Sequence, residues 1–116
     1  MAGETIVFFV KYTSLAGSGA PGTVYTSDPY EVVAYKSVVL EVLFAGGTGG
    51  SAISAQLQGS SDLITWTNVG TPLAPTAGNL ASATATDTPR YLRVVVTVTG
   101  ADDVVTLWVK AVCRES

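Results

Sequence analysis

Histidine is absent from this sequence of 116 residues. Because histidine is the usual general base and the commonest metal ligand, Ser–His and Cys–His catalytic couples and most zinc sites are excluded. The acidic residues fall mostly at expected turns or near the sequence ends, so no pair of carboxylates is expected to converge in a cleft. Asp102 and Asp103 could bind calcium weakly, but turn formation explains them better. We therefore expect no enzyme activity, catalytic residue, cofactor or metal.

Charge and cysteine are also scarce. Charged residues make up 13% of the chain and the formal net charge is −3, without the basic patch of a nucleic-acid-binding protein. The only cysteine, Cys113, cannot form an intrachain disulfide and is expected on the core side of the last strand. The apolar run at residues 6–10 is too short for a signal peptide or a membrane span. These features predict synthesis in a cytoplasm and no membrane partner.

What is present is a series of short β-branched and aromatic runs separated by Gly- and Pro-rich segments. The pattern predicts one all-β domain over residues 1–116, an antiparallel, jelly-roll-like β-sandwich of seven to eight strands. Flexible loops are expected near residues 14–23, 46–50 and 70–79. Ser27-Asp28-Pro29 is expected to break a strand, because proline cannot occupy a central strand position.

The clearest pattern is at the C-terminal end, where residues 91–99 and 104–113 flank the turn-like sequence Gly-Ala-Asp-Asp. It predicts a β-hairpin with Thr99 opposite Val104. One side would be wholly apolar and form core, since a slip of one residue would expose the whole set to water. That side comprises Leu92, Val94, Val96, Val98, Val105, Leu107, Val109 and Ala111.

The other side of this hairpin is only half polar and is the predicted interaction surface. It comprises Tyr91, Arg93, Val95, Trp108, Lys110 and Val112. Residues 5–12 and 37–45 are also apolar on both sides, whereas one sandwich core covers one side of each sheet. The surplus predicts a covering subunit, or an intrachain arm from residues 14–35. Glu41 either neutralises Arg93 and Lys110 or points into solvent with them.

A second hairpin is predicted over residues 51–69. Placing Gln58 opposite Leu63 pairs Leu57 with Ile64 and Ala55 with Trp66, so Trp66 is expected in the core. The turn is expected at Gly59-Ser60-Ser61-Asp62.

The segment from Gln56 to Thr67, the Arg90-Tyr91-Leu92-Arg93-Val94 run and the closing Val-x-Leu-Trp-Val strand together resemble small virion proteins of tailed bacteriophages. The resemblance covers residues 51–70 and 89–113. Leu63 stands where the usual turn has glycine. The resemblance implies a capsid decoration (cement) protein, located in the virion after synthesis in the host cytoplasm. Its expected partners are a major capsid protein or another virion protein, and its own copies in a homo-oligomer.

Two alternatives stay open at this point. One is a tail, baseplate or fibre component of a phage. The other is a carbohydrate-binding adhesion module, in which Tyr25, Tyr30, Tyr91 and Trp108 would stack on sugar rings.

Overall fold

The computed structural model describes residues 3–16, 23–32, 37–47, 52–76, 78–86, 89–99 and 104–114. These ranges contain nine β-strands and no helix. The strands are Gly3–Ala16 (β1), Thr23–Thr26 (β2), Tyr30–Glu31 (β3), Ser37–Gly47 (β4), Ala52–Ser60 (β5), Thr67–Asn68 (β6), Asn79–Thr86 (β7), Tyr91–Thr99 (β8) and Val104–Arg114 (β9). The fold is all-β, as predicted.

The strands form two antiparallel sheets that pack face to face. Sheet A has the order β1-β9-β4-β7, and sheet B has the order β2-β8-β5-β6, with β3 pairing β8 alongside β2. With β2 and β3 counted as one interrupted strand, each sheet has four strands, and the chain changes sheet at every connection except the one from β5 to β6. This is the arrangement of a jelly roll.

Some strands extend into segments that were expected to be loops. β1 continues through Ala16, β4 includes Gly46 and Gly47, and β7 begins at Asn79. Thr23 begins β2, and the rest of the first two expected loops, residues 17–22 and 48–50, lies outside the described residues.

The predicted C-terminal hairpin is wrong. β8 belongs to sheet B and pairs with β2, β3 and β5, whereas β9 belongs to sheet A and pairs with β1 and β4. The predicted core residues on both strands are nevertheless buried, with no exposed surface. Two apolar strand sides can be covered by facing each other across the sandwich, and alternation alone does not distinguish this from adjacent pairing.

The second hairpin exists, but its predicted register is wrong. Gln58 lies opposite Asn68, and Gly59 lies opposite Thr67. Side chains in the connection bind the backbone instead: Asp62 Oδ1 accepts hydrogen bonds from the amides of Ile64 and Thr65, and Ser60 Oγ accepts one from Leu63. These bonds compete with ladder pairing.

The altered connection leaves its apolar residues outside the core. Leu63 is 46% exposed and Ile64 is 82% exposed. Leu63 has a left-handed backbone with φ of 66°, the conformation for which glycine is the usual residue. Gly59, expected in the turn, lies in β5, where an added Cβ would stand 2.7 Å from Pro89 Cγ.

The break between β2 and β3 was correctly predicted, and Ser27 holds the interrupted strand onto β8. The Ser27 amide donates to the Val94 carbonyl at 2.9 Å, and the Val94 amide donates to Ser27 Oγ at 2.9 Å. Cys113 is fully buried on the core side of β9, as expected. Phe8 on β1 meets the ring of Tyr30 on β3 edge to face at 5.5 Å, which closes one side of the sandwich.

Candidate interaction surface

The outward-facing side of sheet A is rich in apolar side chains. Because β1, β9 and β4 are adjacent strands, the apolar surplus that the sequence showed separately on each of them is gathered on one surface. We call this surface the apolar face. It consists of Val7, Val39, Leu43, Leu80, Trp108 and Val112 around the charged pair Glu41 and Lys110.

Strand register places these residues in rows. Trp108 lies beside Leu43, which lies beside Leu80. In the next outward-facing row, two residues further along β9, Lys110 lies beside Glu41. Leu80 is 59% exposed and Val7 is 37% exposed, whereas the other members are half-buried. The result is a broad apolar surface over four strands rather than scattered single residues.

Lys110 and Glu41 form the polar centre of the apolar face. Lys110 Nζ lies 3.4 Å from Glu41 Oε1 and 4.5 Å from the centroid of the Trp108 ring. Both charged side chains are about one-quarter exposed. Of the two alternatives for Glu41, neutralisation applies to one of the two cations: Glu41 pairs with Lys110, whereas Arg93 lies in the other sheet.

The outward-facing side of sheet B has a different character. Arg93 lies 4.2 Å from the centroid of the Trp66 ring and donates from Nε to Gln58 Oε1 at 2.9 Å. Gln58 Nε2 in turn donates to Asn68 Oδ1 at 3.1 Å. Trp66, expected in the core, is therefore half-buried on this outer surface. We call this side of sheet B the polar face.

The predicted interaction surface is divided between these two faces. Trp108, Lys110 and Val112 belong to the apolar face, whereas Tyr91, Arg93 and Val95 belong to sheet B. The six residues are thus not brought together, because β8 and β9 are in different sheets. Val7, Val39 and Leu43 were visible in the sequence as the second apolar side of their strands. Leu80, in a weak Ala/Ser/Thr strand, gave no such signal.

The described part of residues 14–35 does not cover Trp108. Its strands β2 and β3 pair with β8 in sheet B. The aromatic residues considered for sugar binding are also separated: Tyr25 and Tyr30 lie opposite the inward-facing Val96 and Leu92, whereas Trp108 lies on the apolar face. No sugar-binding platform forms from these four side chains.

A small cleft opens between the sheets near Leu40, Leu57 and Ala83, with a volume of about 30 Å³. It has room for a water molecule, whereas ligand sites usually measure about 300–1,000 Å³. Within the described ranges no group of three or more acidic or cysteine side chains is placed to hold a metal ion. A search of the same residues for a helix long and apolar enough to cross a membrane finds none.

Two electrostatic features lie away from the apolar face. Hydrogen bonds from the Thr65 and Ile64 amides and from Ser60 lower the pKa of Asp62. Arg90 Nε lies 2.6 Å from Glu31 Oε2, and this hydrogen bond raises the pKa of Arg90. Both are exposed, structural interactions at the ends of strands.

No family model and no curated protein matches the sequence. Solved structures do share the fold. The exported protein XepA of PBSX superposes with a TM-score of 0.70 at 11% identity, over 97% of this chain and 37% of that one. VP2 of the infectious bursal disease virus subviral particle gives 0.70 at 14% identity, over 97% and 32%. This chain therefore spans about one-third of each of these two proteins.

A third similar structure is close to this chain in length. A Bacillus endospore appendage protein, described as forming disulfide-linked pili, gives a TM-score of 0.54 at 15% identity, over 97% of this chain and 86% of that one. At these identities the similarity establishes the fold alone, a two-sheet β-sandwich shared with a protein of a subviral particle, an exported protein of PBSX and an endospore appendage protein.

Proposed function

We propose that this protein is a non-enzymatic structural component of a virion, which packs on or between capsid subunits and stabilises the particle as a decoration (cement) protein. The observation that supports this proposal most directly is the difference between the two outer faces. On the polar face Arg93, Gln58 and Asn68 are linked by side-chain hydrogen bonds, whereas the apolar face presents hydrocarbon from four strands to its surroundings. Burying that surface against another protein is favourable by roughly 25 cal/mol per Å².

The fold comparisons support the same role. The VP2 structure is that of a viral particle protein, and the XepA structure is that of a PBSX exported protein. The resemblance of residues 51–70 and 89–113 to phage virion proteins points in the same direction. The partners we propose are a major capsid protein or another virion protein, with no nucleic acid and no membrane. The proposed location is the virion, after synthesis in the host cytoplasm.

The alternative structural role is a tail, baseplate or fibre component. The endospore appendage protein favours it because its length is close to that of this chain. The chemistry of assembly differs, however. The only cysteine of this chain is fully buried in β9, so a disulfide-linked filament would require β9 to open. We therefore favour packing through the apolar face over covalent linkage.

The experiment that tests the proposal is the composition and stability of particles purified from the organism that encodes the chain. Mass spectrometry should find the protein at a fixed ratio to the major shell protein, and particles from a deletion strain should melt at a lower temperature. Electron microscopy distinguishes shell from tail or fibre locations. Absence from purified particles, or specific binding of the isolated protein to a glycan array, would contradict the virion role.

A further inference from the structure

The arrangement of residues on the apolar face is self-complementary. β9 and β4 are neighbours at the centre of sheet A, and their register pairs residues of opposite or matching character. Lys110 lies beside Glu41, Trp108 beside Leu43, and Val112 beside Val39. A two-fold axis in the plane of the interface, parallel to the strands and between β9 and β4, would place each residue of β9 over its β4 neighbour in a second copy.

We infer that the apolar face binds a second copy of this chain, which forms a two-fold symmetric dimer of face-to-face sheets. In this dimer Lys110 of one protomer lies opposite Glu41 of its partner, and Trp108 lies opposite Leu43. Such interfaces are isologous, because each contact occurs twice. The two central ion pairs lie within an apolar surround, so both charges of each protomer are neutralised where water is excluded.

Charge selects this axis over the other in-plane possibility. A two-fold axis perpendicular to the strands through the same row would place Lys110 over Lys110 and Glu41 over Glu41 of the partner. Like charges brought together in an interface oppose association. The parallel axis brings only opposite charges together. Both axes keep the strands of the facing sheets near alignment, as sandwich packing requires, so the charges alone distinguish them.

The outward-facing side of sheet A, which contains the apolar face, is large enough for a dimer interface. β4 and β9 have 11 residues each and β7 has eight. With strands about 4.8 Å apart and about 3.3 Å of rise per residue, four such strands present roughly 600 Å² of flat area. Stable complexes bury about 800 Å² of accessible surface on each partner. Because side chains add relief to the flat area, the two values are comparable.

The inference rests on the proposed function in one respect, the use of the apolar face as an interface. The two can fail separately. If the protein forms the dimer but is absent from particles, the virion role is overturned and the dimer is not. If it is present in particles but is monomeric in solution and contacts only capsid subunits, the dimer is overturned and the virion role is not.

The test uses two charge reversals, Lys110→Glu and Glu41→Lys, in the full chain. Light scattering should give twice the 11.9 kDa monomer mass for the wild type. Each single variant should be monomeric at the same concentration, with a dimer Kd raised at least about tenfold, because like charges then oppose each other across the axis. Mixing the two variants should restore dimers as a 1:1 heterodimer.

The mixture separates contacts between protomers from contacts within one. In each variant, positions 41 and 110 of the same chain carry charges of the same sign and repel each other. Mixing the two variants does not change this repulsion within a chain. Only the contacts across the axis become complementary. Net charge does not explain association either: the reversals change the formal charge of −3 by two units, to −5 and −1, so both partners are negative.

Arg93→Glu is the matched control for Lys110→Glu. It gives the chain the same formal net charge of −5, but the substituted residue lies on the polar face. It should leave the dimer unchanged. If a single reversal does not fold, the double variant Lys110→Glu/Glu41→Lys restores both the internal and the facing pair and should dimerise. A monomeric wild type, a dimer that the reversals do not weaken, or a mixture without heterodimers would overturn the inference.

Discussion

Asp62 shows how one side chain decides the shape of a connection. Its carboxylate accepts hydrogen bonds from the Ile64 and Thr65 amides and from Ser60 Oγ, all through Oδ1. The six residues between β5 and β6 are thereby shaped into a loop instead of continuing the ladder. Ile64, which the predicted register paired inward with Leu57, remains in solvent together with Leu63. At this position local hydrogen bonding overrides hydrophobic pattern.

The hydrogen bonds to Asp62 predict a pH dependence of stability. Its folded-state pKa lies below the unfolded value of about 3.9, so the ionised form stabilises the fold above that value. The stabilisation is lost as the pH falls through the folded-state pKa. Asp62→Asn should therefore lower Tm most above about pH 4–5, and the difference from wild type should shrink on acidification. Circular dichroism melts between pH 2 and 7 measure it.

Ser61→Ala is the control for this prediction, because residue 61 is exposed in the same loop and does not ionise. It should change Tm by the same small amount at every pH. A difference between Asp62→Asn and wild type that stays constant across the range would show that ionised Asp62 does not stabilise the loop.

The interrupted strand β2–β3 remains paired with β8 on both sides of a proline. Pro29 has no amide to donate, and the chain leaves the ladder at Asp28 and Pro29 before it rejoins β8 at Tyr30. Ser27 compensates at the point of departure, because its hydroxyl accepts the buried Val94 amide that the ladder would otherwise have satisfied. The hydrogen bonds between β2 and β8 therefore continue through Ser27, up to the break.

Ser27→Ala should leave the buried Val94 amide without its acceptor. We expect a loss of about 1–3 kcal/mol in the free energy of unfolding, measured by urea denaturation, together with faster hydrogen exchange at Val94. Thr26→Ala, at an exposed neighbouring position, should change stability by no more than about 0.5 kcal/mol. Equal stabilities of the two variants would contradict a structural role for the Ser27 hydroxyl.

At the scale of the whole molecule, the two sheets have different outer faces. On the polar face Arg93 donates a hydrogen bond to Gln58 and also covers the ring of Trp66. The apolar face concentrates its hydrocarbon around one ion pair. Leu107 and Val109 point into the core, whereas Trp108 between them points outward. We therefore expect folding stability and the proposed association to depend on different residues.

Trp108→Ala should consequently separate the two properties. The free energy of unfolding should fall by about 1 kcal/mol, the scale of a cation–π contact and a surface substitution. Association through the apolar face should weaken by more than about 2 kcal/mol, as for a central interface tryptophan. The matched core variant Leu107→Ala should instead lose about 2–5 kcal/mol of folding stability. Urea denaturation and light scattering measure both; a large folding defect in Trp108→Ala would contradict the assignment.

The sequence predicted the all-β class, the strand break at Pro29 and the buried sides of β5, β8 and β9 correctly. These properties depend on alternation and on local turn chemistry, which are readable within a few residues. It also indicated that β1, β4 and β9 have more apolar surface than one core can cover. That observation was sufficient to predict an interface.

Which strands are neighbours was decided only by the tertiary structure. Strands with the same period of two can pair edge to edge or pack face to face, and both arrangements bury the same side chains. For this reason the core residues of β8 and β9 were predicted correctly while their pairing was wrong. The six predicted interface residues fell on two different sheets, and the apolar face emerged only once sheet A had placed β1, β9, β4 and β7 side by side.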